Sequence, residues 1–182
     1  RGTLNQGPRK EPFVYRKIVV GHDGSGQAQD ALALGKDLAQ ATGAELAVGG
    51  VFLVHALLRS ASDPVDRQAE QEFAEQLERI AESVDAVAQP VLSSSPARGL
   101  HELAEETGAD LIVVGSCRHG HAGQTLLGDV GLALMHGSPC AVAIAPRGYA
   151  DQSDRSVSAI VVGYDASPES RLALQDGYEL AR

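Results

Sequence analysis

Apolar residues along this chain fall into two kinds of stretch. Five are short and nearly unbroken: residues 16–21, 45–53, 87–92, 111–114 and 141–145, built mainly from Val, Ile, Leu, Ala and Gly. Runs of this length and composition read as strands buried on both faces. The others repeat with a helical period. Ala28, Ala31, Leu32, Gly35, Leu38 and Ala39 share one helical face. Phe73, Leu77, Ile80 and Val84 do the same, which predicts a long amphipathic helix over 66–84. Punctuation agrees with the periods. Gly43 is placed to end the first helix. Ser95-Pro96 forms an N-cap and first-turn pair for a helix through Leu100, Leu103 and Ala104 that stops at Gly108. A fourth helix is predicted over 129–136, closed by Gly137.

Strands alternating with helices predict an α/β fold. It is an open, doubly wound, five-stranded parallel sheet with helices on both faces. Such sheets bind ligands beyond the carboxyl ends of their strands, where the strand order reverses. Asp23 follows the first strand and Gly115 ends the fourth. After Gly115 comes a glycine-punctuated loop and then a helix start near Gly128-Asp129. A strand, a glycine loop and a helix N-terminus in series gather backbone amides around phosphate.

The chain also repeats itself. The segment Ile18-Val19-Val20-Gly21-His22-Asp23-Gly24-Ser25 recurs 142 residues later as Ile160-Val161-Val162-Gly163-Tyr164-Asp165-Ala166-Ser167. The match runs on without a gap through Ala31 and Ala173, Leu32 and Leu174, Gly35 and Gly177, and Leu38 and Leu180. One strand and one helix cannot close a core. Residues 158–182 are therefore expected to open a second copy, of which the chain carries strand one and helix one. A terminal strand and helix added to the first domain is the alternative. The expected organisation is a disordered tail (1–14), a complete domain (15–146), a polar linker (147–157) and this partial copy (158–182).

The formal net charge of −9 argues against a nucleic-acid or anionic-membrane partner. Two cysteines, Cys117 and Cys140, are too few for a disulfide framework, and a reduced, cytoplasmic setting is expected. The most apolar long run, Leu46 to Leu58, is too short to span a bilayer.

These motifs together resemble the universal stress protein family, an adenine nucleotide alpha hydrolase-like fold. The resemblance covers residues 15–146 and restarts at 158. It rests on the Asp after strand one and on V-V-G-S and L-L-G-x-V flanks whose glycines, Gly115 and Gly128, stand thirteen residues apart. It implies a stress-response regulatory protein, not an enzyme, with an ATP site between strands one and four and Mg²⁺ as an accompanying ion. The implied nucleotide-binding residues are Asp23, Val51, Gly115, Ser116, Arg118, Gly128, Asp129 and Val130. Asp23 would accept from the adenine amino group and Val51 would touch the ring. An Asx-type turn for Asp23 and a core position for Val51 are the structural alternatives.

Two positions depart from the family pattern. Arg118 replaces a glycine that lets the backbone approach the ligand. Asp129 replaces a hydroxyl, and can cap the helix itself, taking amides that phosphate needs. A carboxylate about 4 Å from a phosphate charge costs on the order of 4 kcal/mol at a surface-like dielectric. This leaves a second reading open: a degenerate interaction domain that binds no nucleotide. In the family, strand five commonly pairs two copies, so the implied partner is a second such domain or a homodimer through Ala141 to Ala145. Cys117, His119 and His121 alternate and offer a weaker metal-site reading. Asp23-Gly24-Ser25-Gly26 offers a faint pyrophosphatase-like one.

Overall fold

A computed structural model describes residues 15–54, 64–117 and 127–181. Its elements run β1 (Lys17–Gly21), α1 (Gly26–Thr42), β2 (Glu45–Leu53), α2 (Pro64–Glu82), β3 (Val87–Ser93), α3 (Pro96–Thr107), β4 (Leu111–Gly115), α4 (Asp129–Met135), β5 (Ala141–Ala145) and α5 (Pro168–Leu180). The five strands form one parallel sheet in the order β3-β2-β1-β4-β5. The predicted fold class is the observed one.

Successive residues of a strand point to opposite faces, so β1 serves two cores. Ile18 and Val20 pack with Leu32, Val48 and Leu77 beneath α1 and α2. Val19 packs with Leu100, Leu103, Ile112 and Leu134 beneath α3 and α4. All three β1 residues are fully buried.

The caps predicted at Ser95, Gly43 and Gly108 form, and Ser25, in the turn after β1, adds a further one. Ser25 Oγ accepts from Ala28 N–H at the start of α1, and Ser95 Oγ accepts from Arg98 N–H at the start of α3. Gly43 and Gly108 end these helices with φ of 72° and 65°. α4 differs: His136, not a left-handed glycine, is its C-cap.

Two findings modify the expected organisation. First, residues 147–157 are not a free polar connection. Buried Asp30 on α1 accepts from Gly148 N–H at 2.9 Å and from Ala150 N–H at 2.8 Å. Tyr149, itself buried, donates its hydroxyl to Asp37, which also receives Arg155 Nε at 2.8 Å. Second, α5 forms as expected, but residues 158–165 are not a strand. A strand is defined by a hydrogen-bonded neighbour, and none of the described strands pairs with this segment.

The local geometry of the repeat is nonetheless reproduced. Asp23 Oδ1 accepts from Ser25 N–H at 3.0 Å, and Asp165 Oδ1 accepts from Ser167 N–H at 2.9 Å. Ser167 caps α5 as Ser25 caps α1. A Cβ added at Gly35 would collide with Val20, and one at Gly177 would lie 2.7 Å from Val162. Both pairs are related by the same offset.

Candidate functional site

The strand order reverses between β1 and β4, and a cavity of about 600 Å³ opens there beyond their carboxyl ends. Of the residues singled out from sequence, Asp23, Val51, Gly115, Ser116, Gly128, Asp129 and Val130 all line it. Arg118 lies outside the described residues, as do His119 and His121 of the metal reading. Among the described residues no three His, Cys, Asp or Glu side chains form a cluster that would hold a metal.

Each wall has a local cause. Asp23 occupies the tight turn between β1 and α1, where its carboxylate closes an Asx turn on Ser25 N–H. The turn reading of Asp23 is thus correct, and it is compatible with a ligand role because the same turn sets the carboxylate at the cavity. Gly115 ends β4 directly under the first turn of α1. A Cβ there would run into the backbone carbonyl of Gln27, so no larger residue fits without moving the helix. Ser116 follows, its N–H donating to Ala145 O on β5 at 3.1 Å. Its side chain is buried, and Oγ has no hydrogen-bond partner among the described residues. A buried hydroxyl left unpaired is costly, and one that lines a cavity is a natural contact for a polar ligand.

Asp129 does not do what the sequence suggested. The N-cap of α4 is Gly128, in an extended conformation and with no side-chain cap hydrogen bond. Asp129 is the first helical residue and is exposed. The chain reaches the helix one residue too early for its carboxylate to fold back over the free amides. The carboxylate still stands in the cavity wall, so its repulsion of an anion remains. Val51 and Val130 are half-buried, packed at the edge of the α3–α4 core while also facing the cavity. The core reading of Val51 thus holds in part, and the residue also reaches the cavity.

Sequence reasoning missed His22 and Gln27. His22 is 5% exposed, and burial lowers its pKa below the ordinary 6.5, against the opposing pull of Asp23. Its place, one residue before Asp23 at the end of a buried strand, was the available signal.

The described residues contain no helix long and apolar enough to cross a membrane. The profile of the universal stress protein family matches residues 14–146. A universal stress protein of Thermus aquaticus is 30% identical over 135 residues, covering 71% of this chain and 97% of its own. One of Mycobacterium tuberculosis is 33% identical over 94 residues, covering 52% of this chain; the aligned part is 32% of that relative's length, so the chain matches only about a third of it. Among solved structures, a universal stress protein in complex with cAMP is 26% identical with a TM-score of 0.54, covering 74% of this chain and 99% of its own.

Proposed function

The chain belongs to the universal stress protein family, and on that premise we propose that residues 15–146 form a nucleotide-responsive regulatory domain. Its ligand is an adenine nucleotide, ATP first among them, held in the cavity between β1 and β4. The observation that carries this reading is the buried Ser116 Oγ, without a hydrogen-bond partner among the described residues, in a cavity whose floor admits only glycine at 115. The cAMP complex of a 26% identical relative supports the same ligand class.

In this reading Asp23 accepts from the adenine amino group and Val51 contacts the ring. Ser116 and the backbone around Gly128 meet the phosphates. Mg²⁺ offsets the Asp129 carboxylate, whose repulsion at about 4 Å is on the order of 4 kcal/mol at an effective dielectric of about 20. No lysine or arginine among the described residues lines the cavity to clamp a transferring phosphoryl group. Any hydrolysis is therefore slow, and the role is regulatory rather than catalytic.

The test is calorimetric titration with ATP, with and without Mg²⁺, beside an Asp129→Ser variant. The expected result is binding in the micromolar range that tightens by roughly tenfold or more in the variant without Mg²⁺. No binding by either protein at millimolar ATP would overturn the reading.

A second reading is favoured by β5. It is a sheet edge of five uncharged residues, Ala141–Ala145, and unpaired edges of that kind invite another strand. The domain then acts by pairing with a second domain of its kind, in the same chain or as a homodimer. The repeat at 158–182 supports the first arrangement: residues 158–182 would be strand one and helix one of that second domain. Nucleotide binding with no change of oligomeric state, together with an Ala143→Pro variant that leaves that state unaltered, would count against strand-five pairing.

A further inference from the structure

Both ring nitrogens of buried His22 are engaged. Nδ1 lies 3.2 Å from the backbone N–H of Gly24. A backbone N–H only donates, so Nδ1 must present its lone pair. Nε2 lies 3.2 Å from the side-chain amide of Gln29 on α1. With Nδ1 accepting, the proton of the neutral ring sits on Nε2; the atom facing it is Gln29 Nε2, which only donates, so the pair forms a hydrogen bond when that amide is turned end for end and presents its oxygen. The His22 backbone N–H is tied to Gly49 O on β2 at 2.9 Å.

From the ring a line of hydrogen bonds runs into the site. Gly24, which His22 holds, has φ of +81°. The next amide, Ser25 N–H, is held by Asp23 Oδ1, and Ser25 Oγ in turn caps α1 at Ala28 N–H. Two successive amides of the turn, Gly24 and Ser25, and the first-turn amide of Ala28 are thus held by side chains of this one segment, and His22 is the innermost of these anchors.

We propose that neutral His22 is a positioning residue for the nucleotide site, and that a proton on Nδ1 displaces the Gly24 amide, opens the turn that aims Asp23 and weakens ligand binding. This rests on the nucleotide reading above. An imidazolium has two donors and no acceptor, so Nδ1–H and Gly24 N–H then face each other. Nε2 carries a proton in both charge states, so the change on protonation falls at Nδ1 and at the turn it holds.

Among the described residues, the titratable groups sharing the cavity are Asp23 on the same turn, Cys117 after β4 and Asp129 at the start of α4. The facing parts of α1, β2 and α3 present Gln29, Gly49 and Leu100, none of which titrates. Burial lowers the ring's pKa, so the neutral form is dominant at neutral pH. Affinity is full there and falls as the pH drops through the ring's own pKa, which lies below 6.5. A single competing proton gives about a tenfold loss per pH unit beneath that point.

The test uses the whole chain and ATP with Mg²⁺, titrated from about pH 5 to about pH 7.5. His22→Asn keeps an acceptor for the amide two residues on, as in an Asx turn, but does not titrate. It is expected to bind as the unaltered protein does at the upper end and to lose the acid sensitivity. His22→Leu is expected to bind at least roughly tenfold more weakly at every pH, with a flat profile. In the ligand-free protein, the Gly24 amide resonance should move with the His22 ring titration. Binding that is tight at the upper end yet flat with pH, or an Asn variant that keeps the acid sensitivity, would overturn the proposal while the nucleotide reading stands. No binding at any pH would overturn both.

Discussion

Residues 17–38 and 159–180 are two versions of one strand-and-helix sentence, set in different surroundings. Their turns, caps and closest helix-to-strand contact coincide. Their burial does not. Val19 is fully buried while its counterpart Val161 is 94% exposed, and Leu32 is 5% exposed against 52% for Leu174. Only the first version is a strand. Turns and helix caps are thus local properties, satisfied by side chains two or three residues away. A strand is not, because its backbone groups need β2 and β4 on either side.

The largest expected break in this comparison comes from charging the shared valine. Val19→Asp buries a carboxylate between two core layers with nothing to pair it, and should leave no cooperatively folded domain. Val161→Asp should move the melting transition by no more than about 0.5 kcal/mol. Thermal unfolding followed by circular dichroism separates the two. Equal damage from both would mean that the second unit is buried in the protein as it exists in solution.

A smaller effect sharpens the turns. Gly24 has φ of +81°, and its counterpart Ala166 holds the same left-handed backbone at +68° with a side chain. Gly24→Ala should destabilise the domain by about 1–2 kcal/mol, and Ala166→Gly should relieve a similar strain in the turn before α5. Chemical denaturation reads the first. Slower amide exchange over 168–180 reads the second.

The smallest effect is a difference in acid response. His22 has a lowered pKa, so its contribution to stability is complete above 6.5 and declines as the pH falls from there towards the ring's folded value. The matching Tyr164 turn lacks that group. Instead, hydrogen bonds from Ser167 hold the Asp165 carboxyl down to about 2, from 3.8. Its turn should persist until the pH falls from 3.8 towards 2. Residue-resolved amide shifts should therefore report the first turn loosening at mildly acidic pH while the second is unmoved.

The comparison also explains what was legible in the chain beforehand. Five strands, their helices and the caps at Ser95, Gly43 and Gly108 could be read because period and punctuation are local signals. Asp23, Gly115 and Ser116 could be placed together because parallel order puts the ends of β1 and β4 side by side. Three things escaped. The unpaired state of 158–165 depends on neighbours that no segment encodes alone. Asp129 as first helical residue rather than cap turned on a one-residue shift. The burial of Asp30 on an otherwise apolar helix face could not be foreseen, because its partners are the amides of Gly148 and Ala150, more than a hundred positions away.

That last contact gives the repeat a direction of reading. The position of Asp30 in the second version is Leu172, which has no oxygen to offer. If the two versions traded places, the amides at 148 and 150 would face a leucine and lose their acceptor. The units are alike in fold grammar but not interchangeable in order: only the first can be followed by this strap.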